Sequence, residues 1–417
     1  MSAVETMAQR APLKRWLSIV GVGEDGPSGL TSLAQTLVRS AEVVFGGERH
    51  LHLMESLIQG AATAWPRPFD ASYAQVLAHR GRAVCVLASG DPMHYGAGSS
   101  LSRLVSPEEV VVAPGLSAFA LAAARLLWPL QQTELVSLCG RPPRTLVRQL
   151  QPGARILALS TDHRTPGEVA TLLCELGFGD TQMHVLEALG SHQERLRRTT
   201  AHSFDLMDVG PLNLVALEVA AGPSARVVPL AIGLSDGFFE HDGQLTKREI
   251  RALTLSSLAP RRGELLWDIG AGAGSIAIEW MLTHPDMAAI AIEDRPDRAA
   301  RIARNALGLG VTDLEIVTAK APEALASLSR PDAIFIGGGA TEPGLIEAAQ
   351  AALKSGGRLV INAVTLDCEA LLLKCHESLG GSLTRMAISR ADPLGAGARV
   401  LGWRPAMPIT QWVWSKP

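Results

Sequence analysis

The sequence predicts an α/β protein of two unlike domains, and three observations carry that prediction. At residues 265–279 a short apolar run gives way to glycines at 270, 272 and 274 and then to helical spacing. That is the pattern of a buried strand, a tight turn and a helix start. In the first half several apolar runs end the same way, at Gly21 and Gly23, at Gly90 and at Gly115. Between the halves, residues 221–226 read Ala-Gly-Pro-Ser-Ala-Arg, a polar break of the kind that separates domains.

Composition agrees with this division. A chain of 417 residues is too long for one ordinary core, and 47% hydrophobic with 19% charged residues suits folded α/β domains. A net charge of −3 and only 4% aromatics argue against nucleic acid as a partner. The five cysteines contain no Cys-x-x-Cys pair, so reduced thiols and no metal site are expected. Residues 1–15 lack the apolar centre of a signal peptide, and no run reaches the roughly 18 residues of a membrane span. The expectation is a cytoplasmic protein with a loose tail at 1–15, domains at 16–221 and 232–417, and a linker at 222–231.

In order along the chain, residues 16–22 read as a strand. The turn after it has Gly-x-Gly-x-x-Gly spacing, but Pro27 and Gly29 prevent a helix from starting there, and Thr31 is the expected cap of the later helix. A dinucleotide site fails on that context. A buried strand at 83–89 ends in Gly90 and Asp91, which offer backbone access and an acceptor beyond a carboxyl strand end. Ser117 follows the next strand and suits a helix cap. In the second half Thr246 and Glu249 read as a capping box. After the central glycine turn, the strand at 288–292 ends in Glu293, placed to accept hydrogen bonds from two ribose hydroxyls. Ser275 stands after Gly274, so the glycine spacing differs from that of dinucleotide folds. Asp268 beside the turn would repel a pyrophosphate and suits a positively charged amino-acid head. The Asp-x-Gly-x-Gly-x-Gly form resembles the cofactor turn of class I S-adenosylmethionine methyltransferases.

Five motifs of the first half, in order, resemble the tetrapyrrole methylases, and among them the cobalamin-pathway C5-methyltransferases. They are Val20 to Gly23, Gly46 to His50, Leu87 to Pro92, Leu116 to Phe119 and Ser137 to Pro142. Cys139 stands where that family often has histidine. Residues 232–405 resemble the C15-methyltransferases of the same pathway, through Thr246 to Glu249, Asp268 to Ser275, Ala321 to Leu325, Pro331 to Gly338 and Asn362 to Leu366.

The resemblance implies a two-lobed class III methylase fold joined to a Rossmann-like class I methyltransferase fold. It also implies one S-adenosylmethionine in each. The substrate would be a precorrin on the way to cobalamin, cobalt-containing or metal-free, methylated at C5 and C15 with loss of the C12 acetate as carbon dioxide; fusion of the two activities resembles the metal-free route. Val22, Gly23, Gly90, Asp91, Ser117 and Ala118 would bind the first cofactor. Thr246, Asp268, Gly270, Ala271, Gly272, Ala273, Gly274, Glu293 and Ala321 would bind the second. Arg141, Lys247, Arg248 and Arg385 are candidate partners of substrate carboxylates. No catalytic acid or base is assigned; His50, His52 and His163 read as solvated or structural. A homo-oligomer formed through the second domain is expected. A methylase of another substrate, an S-adenosylmethionine-binding sensor and an NAD-dependent dehydrogenase are the rival readings.

Overall fold

The computed structural model describes residues 15–66, 72–393 and 400–417. The tail expected at 1–15 lies, but for Arg15, outside the described residues. The chain forms two compact units, Met1–Pro143 with Pro152–Arg226, and Arg144–Gln151 with Val227–Pro417. Backbone bonds from Gly222 to Gly177 and from Arg226 to Leu176 attach the first half of the stretch read as linker to the first unit, and Val227 onward belongs to the second.

The first unit holds two five-stranded sheets. One runs in the order Ala61–Ala64, Val43–Gly46, Val84–Ser89, Leu17–Val22, Val110–Ala113, with all neighbours parallel. A parallel sheet covered on both faces needs near-continuous apolar strands, and Val84–Ser89 is buried at every position except Ser89. The second sheet is mixed, in the order Glu134–Ser137, Arg155–Leu159, Asn213–Glu218, Gln182–Glu187, Arg195–Thr200. Thr31 and Ser117 cap their helices as expected, accepting from the backbone N–H of Ala34 and Ala120.

The second unit is built on a seven-stranded sheet. Its order is Glu315–Thr318, Ala288–Glu293, Leu265–Ile269, Ala333–Ile336, Arg358–Ala363, Ile409–Ser415, Ser382–Met386. The first five are parallel, and Ile409–Ser415 runs antiparallel to both of its neighbours, Arg358–Ala363 and Ser382–Met386. Strand order therefore reverses at Leu265–Ile269, with the next crossover passing to Ala333–Ile336, the switch point where such sheets open a crevice. Trp267 and Trp280 are fully buried beside it, and their indole N–H groups donate to Ser329 and Ala288 carbonyls. Each indole thus brings apolar area into the core without an unpaired donor. A two-stranded ribbon, Ser389–Pro393 with Leu401–Pro405, extends from this sheet.

Thr246 is not a helix cap. The helix begins at Arg248, Lys247 is at the cap position, and no side chain bonds the free N–H groups. Glu249 pairs instead with Arg390, and the Thr246 carbonyl accepts from Arg251. The acid of the expected capping box is drawn to a partner 141 positions away. Among the described residues, no helix is long and apolar enough to cross a membrane.

Candidate active sites

Each unit has its own cavity at the carboxyl ends of parallel strands. In the second unit a cavity of about 710 Å³ is lined by Thr246, Lys247, Asp268, Gly270, Ala271, Gly272, Glu293 and Ala321, among others. Its volume lies within the roughly 300–1,000 Å³ range of small-molecule sites. Gly270 sits at φ +70°, and a β-carbon there would come within 2.9 Å of the Gly338 carbonyl oxygen. The turn after Ile269 and the glycines after Ile336 pack backbone on backbone, and the Gly337 N–H donates to the Ile269 carbonyl at 3.0 Å. A side chain at 270 would separate them.

Glu293 is 3% exposed. Its Oε2 accepts from the Gly272 N–H at 2.8 Å and its Oε1 from the Arg295 N–H at 3.2 Å. Burial raises its pKa, against these two backbone donors. Asp268 accepts from the Ala277 N–H through Oδ2 at 3.0 Å. Its Oδ1 is buried without a partner, and burial, opposed by the Ala277 bond and assisted by Glu293, pushes the carboxyl up to about 7. An orphaned buried carboxylate oxygen in a cavity wall fits a cationic ligand group.

One side of this cavity is Gly243 to Lys247, the end of an arm that starts at Gly233 and is fixed by buried polar groups. The Gly233 and Leu234 N–H groups donate to Glu279, and Arg251 bonds Glu279, the Leu234 carbonyl and the Thr246 carbonyl. The Phe239 ring is buried, its centroid 4.8 Å from the Arg251 guanidinium. Asn305 joins the Glu240 backbone to the Ala273 carbonyl, and Asp242 pairs with Arg298 and Arg301.

In the first unit a cavity of about 360 Å³ is lined by Val22, Gly23, Gly90, Asp91, Ser117 and Ala118, with Cys139, Ser160 and Asn213 across from them. Residues from both sheets and their strand ends thus line the cavity. Gly90 adopts φ +56°, and a β-carbon there would meet the Ser117 Cα at 2.8 Å. Its N–H donates to the Val22 carbonyl and its carbonyl accepts from the Gly115 N–H, so three strand ends converge on it. Asp91 turns one oxygen onto the Met93 N–H at 2.9 Å.

Several residues expected at the sites lie elsewhere. Ala273 and Gly274 are not in the cavity wall; a β-carbon at Gly274 would instead strike Ile302, so this glycine serves helix packing. Arg248 donates to the Gly233 carbonyl, Arg385 pairs with Glu369, and Arg141 is exposed, none of the three lining either of these two cavities. Sequence reasoning missed Arg390 and Asn362 in the second cavity, and Arg49 and His50 in the first. His52 and His163 are exposed, whereas His50 lines the cleft. No local pattern gives these residues a role, because their partners are remote in sequence; the only signal was the position of Arg49, His50 and Asn362 inside quoted motifs.

Fold and sites together define a tetrapyrrole methylase joined to a methyltransferase of Rossmann-like fold. A model of the tetrapyrrole (corrin/porphyrin) methylases matches residues 17–205, and a model described as a precorrin methyltransferase domain matches residues 237–416. A Sinorhizobium sp protein named precorrin-6Y C(5,15)-methyltransferase (decarboxylating) is 54% identical over 409 residues, 98% of each chain. Its namesake in Mycobacterium tuberculosis is 41% identical over 397 residues, 94% of this chain and 98% of its own. The solved C-terminal domain of precorrin-6Y C5,15-methyltransferase from Rhodobacter capsulatus is 45% identical, covering 45% of this chain and 100% of its own, at a TM-score of 0.43. The chain belongs to the precorrin-6Y C(5,15)-methyltransferases (decarboxylating) and is a methyltransferase.

Proposed function

We propose that this enzyme transfers two methyl groups from S-adenosylmethionine to one precorrin, to C5 in the first unit and to C15 in the second, and releases the C12 acetate as carbon dioxide. One observation carries the two-site reading: each unit has a separate cavity walled by backbone at its carboxyl strand ends. The sulfonium supplies the electrophilic methyl and the leaving group. The chain's residues therefore bind, orient and exclude water. Asp268 would hold the ammonium of the cofactor and Glu293 its ribose, with Gly270 and Gly272 offering backbone to its methionine end. Each methylation replaces a ring hydrogen and releases a proton, and decarboxylation takes one up. Decarboxylation belongs with C15 methylation in the second unit, since both act on neighbouring parts of the macrocycle. The division of labour runs between the first and second units.

The test is mass spectrometry of products from purified precorrin. Gly90→Val drives a branched side chain into Ser117, so C5 methylation is expected to disappear while C15 methylation and carbon dioxide release persist. Loss of both methylations at once would refute two independent sites.

The carboxyl of Asp268 gives a pH prediction. Raised to about 7, it is protonated below that value and ionised above it. A cationic ligand favours the ionised form, so affinity of the second unit for S-adenosylmethionine should climb up to about tenfold per pH unit below 7 and level off above. For stability the sign is opposite: the neutral acid favours the folded unit at low pH, and that contribution is lost as pH rises through about 7. Calorimetric titration of the Gly90→Val chain between pH 5.5 and 8.5 measures the affinity. A flat profile, or an unchanged slope in Asp268→Asn, would remove Asp268 from the site.

A further inference from the structure

The first unit's cleft holds a charged cluster with no part in the glycine turn. Arg49 and His50 lie on the helix Glu48–Leu53, and Ser89 ends the strand Val84–Ser89, 40 and 39 positions away. The Arg49 Nη2 is 3.0 Å from His50 Nε2 and 3.3 Å from Ser89 Oγ, which is itself 2.9 Å from Nε2. Arg49 Nη1 pairs with Glu24. A guanidinium has only donors, so Nε2 is the acceptor and the ring proton of a neutral His50 is on Nδ1. That Nδ1 is buried without a partner. Burial first, and the Arg49 charge second, lower the His50 pKa to about 4. The ring is therefore neutral near pH 7 and orients the guanidinium without repelling it. Apart from the two histidines, the charged side chains lining this cleft are Glu24, Arg49 and Asp91. Arg49 is the one permanent cation among them.

The proposed substrate carries many carboxylates, and two acids line the same wall. We propose that Arg49 anchors a carboxylate of the tetrapyrrole in the first unit, and that His50 and Ser89 are positioning residues that hold its guanidinium at the cleft. This rests on the assignment of C5 methylation to the first unit. Planar, charge-assisted pairing of this kind is the reason an arginine outperforms a lysine there.

The experiment uses the full chain with purified precorrin, C5 and C15 methylation being resolved by mass spectrometry and C15 methylation serving as the internal reference. Arg49→Met should raise the precorrin KM for C5 methylation about tenfold or more, with a smaller change in kcat. Arg49→Lys keeps the charge but loses the fork, and should raise KM about threefold to tenfold; it carries the test if Arg49→Met does not fold. His50→Leu should resemble Arg49→Met, whereas His50→Gln, whose amide oxygen can accept in place of Nε2, should restore KM to within about threefold. A purely structural role for His50 would not be rescued in this way. Arg49 variants with KM within twofold of the parent, in a chain whose Gly90→Val form has lost C5 methylation, would overturn the anchor alone. Gly90→Val with C5 methylation intact would overturn the placement of that reaction, and the anchor with it.

Discussion

Glu293→Leu is expected to abolish C15 methylation while C5 methylation continues. The carboxylate is the acceptor at the end of the strand Ala288–Glu293, held on the Gly272 and Arg295 N–H groups with lone pairs remaining. In the proposed site those lone pairs receive two ribose hydroxyls. Hydrogen bonds to a charged group contribute about 1.5–3 kcal/mol each, so losing two costs about 3–6 kcal/mol and weakens the cofactor by two to four orders of magnitude. The Gly272 N–H also loses its acceptor, which loosens the turn. Glu293→Gln keeps one acceptor oxygen and should fall between the two. The measurement is the ratio of singly to doubly methylated product, with circular dichroism as the check on folding. A Glu293→Leu chain that still methylates C15 within tenfold of the parent would exclude the ribose role.

Arg251→Met should lower the unfolding temperature of the second unit by on the order of 10 °C, since breaking a buried ion pair costs about 3–5 kcal/mol and a unit of this size loses about 2–4 °C per kcal/mol. Arg251 is fully buried and Glu279 is 1% exposed, with Nε to Oε1 at 2.5 Å. Methionine leaves the Glu279 carboxylate buried with only the Gly233 and Leu234 N–H groups as partners. It also frees the Leu234 and Thr246 carbonyls, so the arm along the cofactor cavity loses its fixed position and the KM for S-adenosylmethionine in C15 methylation should rise. Adding Glu279→Gln removes the stranded charge and should recover part of the lost stability, a coupling that a double-mutant cycle reads directly. Differential scanning calorimetry of the full chain decides it; a second-unit transition within 2 °C of the parent would mean that the pair contributes no net stability.

Much of the architecture was legible because it depends on neighbours in sequence. Apolar runs 84–89, 265–269 and 288–293 are strands, and Gly90 and Gly270 sit where positive φ and close backbone approach are required. Thr31 and Ser117 cap helices through bonds spanning three residues. The capping box at Thr246 failed for the converse reason: Glu249 was drawn to Arg390, 141 positions away. The same limit explains the arginines. Nothing local distinguishes Arg141 or Arg385 from Arg49; all three are exposed, and only Arg49 lines the cleft, beside Ser89 on another element.

By itself the sequence determined the strands, the turns and the acceptor Glu293, since φ preference, apolar periodicity and capping act within a few residues. Tertiary structure alone decided which charges meet. The Arg251–Glu279 pair, the arm it holds and the Arg49–His50–Ser89 cluster join elements 28 to 46 positions apart. Their pairing follows from the need to satisfy buried charge once the sheets and helices have packed.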